Sequence, residues 1–544
     1  MKALTFTFTL IIALSVLITF TSTKFTIDLT QSFILDHAGR YKIYHGVNVV
    51  VKLYPFIPNT DVFDPYMSFT DEDIAILKKL GINLVRLGVI WESVETAEEV
   101  YNYDHLEKLS DIVYKLEQQG IDVLLDAHQD MFTREFCGEG VPGFYASKLN
   151  VERKCEANTL SKIFKLLTAC IPLEKHNWSY GDDGMPLVDD CKTKGNFMDY
   201  HRSPELTSIY KSFYNNQNNI IDQFGKFWAV VAQKFKGRKN VIGYDIWNEP
   251  WPGNLWSDLK SLWPGHSDDE EVAPFYQIVD NAISKVDNDY ILFYQPVPFP
   301  DTFPLFGGVI FPSFTTPPVD IDFRPQVFNV HNYCCQAGPD VCRSGEPSLE
   351  QAKGMCANFH EMKVKENIKH GKRLKAPIIV TEFGACSNSE ACYYEMMGLI
   401  KAADRHLVSW AYWMYKTFGD HTTTAANNTE GIFNEDGTLQ MYKEIALSRS
   451  YVQAYQGYPL SVEFNDETKE LNASFKYDAF ISEPSVVYLY KEMNYKNGYT
   501  VVVSDMDGKV VDADVEEVEN GYIHVKMGKD VEDGCVVNIK VVAN

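Results

Sequence analysis

Short apolar segments alternate with amphipathic helical segments along most of the chain, and this alternation constrains the fold more than any other feature. The first unit runs from a buried strand at residues 44–52 to a helix that begins after Thr70 and ends at Gly81. Threonine is a good N-cap, acidic residues suit the first turn, and glycine favours the helix stop. A strand at residues 82–89 and a helix from Asp104 repeat the pattern, which is typical of parallel βα units.

Eight strands of this kind can be placed, so the sequence predicts a (β/α)8 TIM barrel, an α/β fold. The alternative is an open doubly wound sheet, but no glycine-rich phosphate-binding motif follows any strand. A chain of 544 residues has room for a barrel of ~250 residues or more and a second module. The predicted strands are residues 44–52, 82–89, 121–126, 240–247, 290–294, 326–330, 377–380 and 407–413.

The sequence changes character near Pro459. From there on, short β-rich runs are separated by turn dipeptides, a spacing typical of a small antiparallel β-sandwich. We therefore divide the chain into a signal peptide at residues 1–23, a (β/α)8 barrel at residues 24–457 and a β-sandwich at residues 458–544. Within the barrel, the long connection at residues 131–215 shows no sustained period, and connections of this length are usually functional.

The N-terminus and the cysteines both indicate an exported protein. Lys2, an apolar run at residues 3–20 and small polar residues up to Thr23 follow the order of a secretory signal peptide, with a short membrane anchor as the alternative. We expect secretion, with the lysosome as the alternative destination. Acceptor sequons for glycosylation at Asn177, Asn427 and Asn472 agree with that route.

Ten of the eleven cysteines lie in the predicted barrel, where disulfides are expected rather than metal ligands. The pairing cannot be read from the sequence, although Cys386 with Cys392 and Cys170 with Cys191 are candidates for local pairs. Cys535 is left over and is expected to be a free, buried thiol.

Nearly every predicted barrel strand ends in a polar or aromatic functional group. Because the carboxyl ends of barrel strands meet at one rim, where active sites of this fold lie, we expect these groups to share a site. A structural role is the alternative for several of them: an ion pair for Arg86, a satisfied polar contact for Asp126 and His128, and core packing for Trp413. The groups are Lys52, Arg86, Asp126, His128, Asp130, Asn248, Glu249, His331, Tyr333, Glu382 and Trp413.

Two of these groups are glutamates, Glu249 after strand four and Glu382 after strand seven. A pair of carboxyl groups across a cleft is what glycoside hydrolysis requires: one protonates the leaving oxygen and the other acts as nucleophile or base. Arg86 and Tyr333 can keep Glu382 ionised by charge and hydrogen bonding.

The motifs Asn248-Glu249-Pro250 and Thr381-Glu382-Phe383-Gly384 resemble those of glycoside hydrolase family 5, in the larger clan of retaining (β/α)8 glycosidases. Within that family, residues 46–52, 125–130 and 248–251 look like the corresponding stretches of endoglycoceramidases. The resemblance covers most of the chain from Tyr41 onward, although the Cys-rich part of the long connection does not map onto the family motif.

The resemblance implies a retaining double displacement with Glu249 as acid/base and Glu382 as nucleophile, and with neither metal nor cofactor. The carboxyl groups should lie ~5–5.5 Å apart, and we expect a neighbouring negative charge to keep the pKa of Glu249 the higher. The implied substrate is a glycosphingolipid, presented in micelles or membranes and cut between glucose and ceramide. The implied sugar contacts are Lys52, Asp126, His128, Asp130, Asn248, Gln295, Tyr333 and Trp413, supported by Arg86 and His331.

The loops after strands four and five are rich in large apolar residues. We expect them to form a groove for the lipid or a peripheral membrane contact, with packing against the barrel as the alternative. The residues include Trp251, Leu255, Trp256, Trp263, Phe299, Phe306, Phe311 and Phe314.

Other functions stay open at this point. A β-glucanase or mannanase would have an open cleft with aromatic residues on both sides of the glutamates, and a glucosylceramide or steryl-glucoside hydrolase would share the chemistry. A non-catalytic carbohydrate- or lipid-binding barrel would normally lack one of the two glutamates. A net charge of −24 argues against a nucleic-acid partner, whose phosphates call for Lys and Arg.

Overall fold

The computed structural model describes residues 24–30, 32–155, 170–298, 302–303, 309–310, 313–338, 341–342, 345–423, 430–519 and 521–544. The predicted signal peptide at residues 1–23 and the sequon at Asn427 lie outside this part of the chain.

Eight parallel strands close into a barrel, which confirms the predicted fold and the place of every predicted barrel strand. The strands are almost fully buried, as expected for a parallel sheet covered by helices, and this explains their near-continuous apolar sequences. In chain order they are His45–Val49, Leu84–Gly88, Asp122–Asp126, Val241–Asp245, Leu292–Tyr294, Gln326–His331, Ile378–Glu382 and Ser409–Tyr412.

Helices surround the barrel, and their ends follow local sequence signals. Thr70 and Asp73 form a reciprocal capping box at the first of the longer helices, as the sequence predicts. The longer helices are Asp71–Lys79, Tyr103–Gln118, Pro204–Tyr214, Ile220–Phe235, Ala273–Ile283, Ala357–Leu374, Glu390–His406 and Met441–Leu447. Shorter helical segments are Trp91–Val94, Arg134–Phe136, Gly143–Ala146, Leu173–His176, Val188–Thr193, Phe197–His201, Gln217–Asn219, Leu259–Leu262, Asp268–Val272, Cys334–Ala337, Leu349–Gln351, Ala352–Cys356 and Lys491–Asn494. None of the helices in the described ranges combines the length and apolar content needed to cross a membrane.

The C-terminal part forms two antiparallel sheets, as expected for a β-sandwich. The four-stranded sheet contains Gly457–Phe464, Leu471–Tyr477, Val536–Ala543 and Tyr499–Ser504. The seven-stranded sheet contains Thr26–Asp28, Phe33–Leu35, Tyr41–Lys42, Tyr451–Tyr455, Ser485–Tyr488, Tyr522–Met527 and Ala513–Glu519. Its three N-terminal strands join through Tyr41–Lys42, a pairing that the sequence patterns did not predict. Two small hairpins complete the strands, Glu95–Ala97 with Val100–Tyr101 and Thr302–Phe303 with Val309–Ile310.

The β domain contacts the barrel through the end of helix Asp71–Lys79. Tyr488 donates a hydrogen bond to the carbonyl of Lys79 (2.6 Å), and Tyr451 donates one to the carbonyl of Gly81 (2.7 Å). These carbonyls would otherwise lack partners at the helix terminus. Because Gly81 precedes the start of a barrel strand, this contact lies at the opposite end of the barrel from the predicted active-site rim.

Five disulfides are present among the described residues. The candidate pair Cys386–Cys392 is present, and Cys535 is unpaired and half-buried. The candidate pair Cys170–Cys191 is not formed, because the fold of the long connection brings other partners together. The remaining disulfides are Cys137–Cys191, Cys155–Cys170, Cys334–Cys356 and Cys335–Cys342.

Candidate active site

The carboxyl-terminal rim of the barrel brings together all the residues predicted for the site. Glu249 and Tyr333 are partly exposed, whereas the other members are buried. The buried members are Lys52, Arg86, Asp126, His128, Asp130, Asn248, Gln295, His331, Glu382 and Trp413.

The two glutamates face each other across His331. A carboxylate oxygen of Glu249 lies within 4.8 Å of one of Glu382. His331 Nδ1 is 2.7 Å from Glu249 Oε1 and 3.3 Å from Glu382 Oε2. Burial lowers the pKa of His331 to about 4, so at neutral pH its ring is uncharged. This separation matches retaining rather than inverting glycosidases, whose carboxyl groups lie ~5–5.5 Å and ~6.5–9.5 Å apart respectively.

Glu382 is held by a cation and a hydroxyl group. Arg86 Nη1 donates to Glu382 Oε1 at 2.7 Å, and the Tyr333 hydroxyl donates to Glu382 Oε2 at 2.8 Å. Both contacts were predicted from the strand ends. A carboxylate with these two donors is fixed in position and stabilised in its charged form.

Arg86 is the centre of a buried charge network. Its guanidinium pairs with Asp126 (2.9 Å) and Asp245 (2.8 Å) in addition to Glu382. It also donates to the side-chain oxygens of Asn48 (3.1 Å) and Asn248 (2.9 Å). Because the guanidinium is fully buried, these bonds compensate for its desolvation and fix the amide of Asn248 beside the glutamates.

Glu249 lies in different surroundings. Its side chain is 17% exposed and contacts the neutral ring of His331 rather than a cation. Burial and, next, the charge of Asp130 raise the pKa of Glu249 to about 7. The higher pKa agrees with the prediction for an acid/base, but its main cause is desolvation, not the neighbouring charge that the sequence led us to expect.

Lys52, His128, Asp130 and Trp413 form a compact group beside the glutamates. Lys52 Nζ is 2.5 Å from Asp130 Oδ2 and 4.5 Å from the ring centre of Trp413. His128 stacks on Trp413 with ring centres 5.2 Å apart, and its Nδ1 contacts Asp126 at 2.7 Å. Burial opposes protonation of His128, but Asp126 and Asp130 outweigh it and raise its pKa to about 10. These groups offer donors, acceptors and an aromatic face of the kind that sugars bind.

Gln295 makes contacts that the sequence did not predict. Its Oε1 accepts a hydrogen bond from the Glu249 backbone N–H (3.0 Å), and its Nε2 donates to Asp245 Oδ2 (3.1 Å). Both ends of the amide are thus used by the protein, and a sugar contact for Gln295 stays a prediction. The same holds for Asp126, whose oxygens face Arg86 and His128.

The prediction of a solvent-facing apolar wall after strand four is wrong for most of its residues. Trp251, Leu255 and Trp256 are buried, because Trp251 stacks on His201 and the Trp256 indole donates to the carbonyl of Arg202. Trp263 is 74% exposed to solvent, as the sequence predicted. Phe314 is buried, while Phe299, Phe306 and Phe311 lie outside the described residues.

Two groups of side chains have the spacing of metal ligands within the described residues, His128 with Asp130 and Glu139, and Glu249 with His331 and Glu382. The first group suits a cation poorly, because the raised pKa of His128 favours the protonated ring. The second group is the glutamate pair itself, with His331 Nδ1 between the two carboxyl groups.

Several residues of the site were missed in the sequence. Asn48, Asp245 and Asn329 belong to buried barrel strands and form hydrogen bonds within the Arg86 network. In the sequence, each is an isolated polar residue in a buried strand, and that is the signal from which it could have been found. Asp420 and Thr422 contact Lys52 at 3.1 and 2.6 Å from a loop with no comparable signal.

Facing carboxyl groups at the carboxyl-terminal rim of a parallel α/β barrel define a glycoside hydrolase. The model described as Cellulase (glycosyl hydrolase family 5) matches residues 54–162 and 186–419, and the Glycoside hydrolase family 5 C-terminal domain matches residues 449–541. The chain belongs to glycoside hydrolase family 5.

The chain is also similar along most of its length to individual relatives and solved structures. An endoglycoceramidase of Cyanea nozakii is 29% identical over 476 residues, which cover 87% of this chain and 86% of the relative. The solved endo-glycoceramidase II from Rhodococcus sp. in complex with ganglioside GM3 superposes with a TM-score of 0.69 at 20% identity, covering 94% of this chain and 99% of that one. Sterylglucosidase 1 of Cryptococcus neoformans superposes with a TM-score of 0.67 at 14% identity, covering 96% and 97%. At these identities the two solved structures show a shared fold.

Proposed function

We propose that this glycoside hydrolase cleaves glycosphingolipids between the glycan and the ceramide, as an endoglycoceramidase. The observation that carries the proposed chemistry is the pair of glutamates within 4.8 Å whose surroundings differ in charge. The similarity to endoglycoceramidases along almost the whole chain supports the substrate class.

In the first step, Glu382 attacks the anomeric carbon while Glu249 protonates the ceramide oxygen. A glycosyl–enzyme ester forms and the carbon–oxygen bond to the ceramide breaks. In the second step, Glu249 takes a proton from water, the water oxygen attacks the anomeric carbon, and Glu382 leaves as a carboxylate. Arg86 and Tyr333 stabilise Glu382 in its charged form before attack and after release.

The sugar next to the cleaved bond is proposed to bind between the glutamates and Trp413. Asn248 is proposed to hold the 2-hydroxyl group, and Lys52, His128 and Asp130 to bind other hydroxyl groups. The support for these roles is that all of these side chains lie on one rim and that Arg86 fixes the orientation of the Asn248 amide.

We also propose that the protein is secreted, with a lysosomal location as the alternative, and that it meets its substrate in micelles or membranes. The apolar run at residues 3–20 and the disulfides support passage through an oxidising compartment. The exposed Trp263, on the loop after the strand that leads to Glu249, supports a peripheral lipid contact.

The test compares the wild type with Glu249→Gln and Glu382→Gln on a ganglioside and on a soluble β-glucan. We expect the wild type to release an intact oligosaccharide from the ganglioside, and both variants to lose that activity. Cleavage of the glucan alone would contradict the ceramide assignment, and activity that survives in Glu382→Gln would contradict the nucleophile assignment.

A glucosylceramide or steryl-glucoside hydrolase is the second candidate, because it would use the same pair of glutamates for the same chemistry. The products separate the two proposals. An endoglycoceramidase releases a complete oligosaccharide from a ganglioside, whereas the second candidate releases glucose from glucosylceramide or a steryl glucoside and leaves the ganglioside intact.

A further inference from the structure

The Cys-rich connection between the third and fourth barrel strands contains a buried helix that reaches the loop carrying Glu249. The helix is Pro204–Tyr214, and its residue Tyr210 has no exposed surface. Tyr214, one turn later, donates its hydroxyl to the carbonyl of Trp251 at 2.9 Å. A helix of the long connection therefore contacts the segment around the proposed acid.

Glu249 has an unusual backbone. Its φ is +41°, in the left-handed region that favours glycine. A residue with a side chain keeps such a conformation only where the surroundings determine it, and these conformations concentrate at functional sites. Glycine cannot take this position if the carboxyl group is needed, so other groups must hold the backbone.

Two side-chain amides hold it from either side. Gln129 Nε2 donates to the carbonyls of Asn248 (2.7 Å) and Glu249 (3.2 Å). Gln295 Oε1 accepts from the Glu249 N–H. The peptide groups before and after Glu249 are thus both bonded to buried amides.

The orientation of the Gln129 amide is itself determined. Its oxygen accepts from the backbone N–H of Phe132 (3.0 Å) and from the Tyr210 hydroxyl (2.8 Å). With two donors and two acceptor positions occupied, the amide has its full complement of hydrogen bonds, and a flipped amide would lose them. The close approach needs Gly140, where an added Cβ would lie 2.4 Å from the Cβ of Gln129.

We propose that Gln129, Tyr210 and Tyr214 are positioning residues that keep the carboxyl group of Glu249 aimed at the leaving oxygen. The Cys-rich connection then acts as the support of the acid/base, anchored by the disulfide Cys137–Cys191. This inference rests on the proposed function, in which Glu249 donates the proton.

If these residues position the acid, the loss of kcat/KM in their variants should depend on the leaving group of the substrate. If the Glu249 loop shifts, proton donation suffers, whereas nucleophilic attack by Glu382 does not. An alkyl glycoside such as a glycosphingolipid needs the proton, because its leaving alkoxide is strongly basic. A dinitrophenyl glycoside carries a leaving group that departs without one.

The experiment measures kcat/KM of Tyr210→Phe, Tyr214→Phe, the double variant and Gln129→Met on a ganglioside and on dinitrophenyl β-lactoside. Proton transfer by a positioned acid contributes ~10²–10⁴-fold, so we expect losses of ~10-fold for Tyr210→Phe and ~100-fold for Gln129→Met on the ganglioside. On the dinitrophenyl glycoside we expect changes below ~3-fold, since acid catalysis is not needed there.

Tyr145→Phe is the matched control. Tyr145 is another buried tyrosine of the same connection, and its hydroxyl donates to Glu95 Oε1 (2.7 Å) instead of to a group that holds the Glu249 loop. It should leave the ratio of the two kcat/KM values unchanged. The alkaline limb of the pH profile gives a second readout: a loosened loop exposes Glu249 and should move the limb to lower pH in the Gln129 and Tyr210 variants, but not in Tyr145→Phe.

Equal losses on both substrates, or no loss in Tyr210→Phe and Gln129→Met while both fold with wild-type circular dichroism, would overturn the inference. Failure of the proposed function looks different. If Glu249→Gln itself shows no leaving-group dependence, the acid assignment fails; if it does and the Gln129 and Tyr210 variants do not, only the positioning role fails.

Discussion

The ends of the fourth and seventh barrel strands each present a glutamate to the same cleft, but they hold it in opposite ways. Glu382 is the last residue of its strand, and its side chain is fixed by Arg86 and Tyr333. Glu249 lies beyond the end of its strand, and its backbone is fixed by two glutamines while its carboxyl group contacts Nδ1 of the uncharged His331 ring.

This difference in how the two glutamates are held explains how one rim can provide both a nucleophile and an acid. A cation and a hydroxyl donor favour a carboxylate, as a nucleophile requires. Burial without a cation favours the protonated carboxyl group, as an acid requires, and a loop held through its backbone leaves that group able to face first the leaving oxygen and then water.

The largest effect should come from removing each glutamate in turn. We expect Glu382→Ala and Glu249→Ala to lose at least ~10⁴-fold in kcat/KM on a ganglioside, since each group takes a direct part in the chemistry. On a dinitrophenyl glycoside with added azide, Glu249→Ala should recover turnover and form a β-glycosyl azide, because the nucleophile is intact. Glu382→Ala should form only the α-glycosyl azide. The reverse pattern would exchange the two roles.

Replacing Arg86, the cation that pairs with Glu382 and two buried aspartates, should have the next largest effect. Arg86→Lys cannot reproduce four directed hydrogen bonds to buried groups, so we expect kcat/KM to fall ~10²–10³-fold and the free energy of unfolding to fall by ~3 kcal/mol. Urea denaturation and ganglioside kinetics measure the two effects.

Arg324→Lys is the control for this change. Arg324 is also buried and pairs with Asp280 at 2.7 Å, but it lies at the other end of the barrel strands. It should lower stability without lowering kcat in the folded enzyme. A similar kcat for Arg86→Lys and Arg324→Lys would show that Arg86 acts on stability alone.

Tyr333→Phe should have a smaller effect than loss of the arginine. It removes one hydrogen bond to Glu382 and keeps the ring, so we expect kcat/KM to fall ~10–100-fold with a change in unfolding free energy of ~1 kcal/mol. Unlike the Gln129 and Tyr210 variants, it should affect ganglioside and dinitrophenyl glycoside alike. A loss confined to the ganglioside would place Tyr333 on the acid side of the cleft.

The pH dependence of kcat/KM tests whether Glu249 is the group that must be protonated. Glu249 must be protonated for the first step and its pKa is raised to about 7, so kcat/KM should decline ~10-fold for each pH unit above that value. Because the charge of Asp130 raises the pKa further, Asp130→Asn should move this limb to lower pH. A limb that stays in place in both Asp130→Asn and Glu249→Gln would belong to another group.

Much of the fold was predictable because barrel strands are short apolar runs between helices with clear ends. The glutamate pair was predictable for the same reason, since both glutamates directly follow such runs. The joining of Tyr41–Lys42 to the C-terminal sheet was not, because strands of two or three residues carry no pattern.

The parts of the site that escaped prediction depend on tertiary contacts. Whether Trp251 faces a lipid or packs on His201 depends on a helix far along the chain. The partner of Cys191 and the contact between Tyr210 and Gln129 depend on how the long connection folds back. The raised pKa of Glu249 was expected, but its cause, burial, is a property of the folded rim.

Covalent trapping tests the division of roles most directly. The wild type would be incubated with an activated fluorosugar that reacts quickly in the first step and slowly in the second, digested with protease and examined by mass spectrometry. The account predicts one added glycosyl group, located on Glu382. A glycosyl group on Glu249, or product of inverted configuration without any adduct, would contradict it.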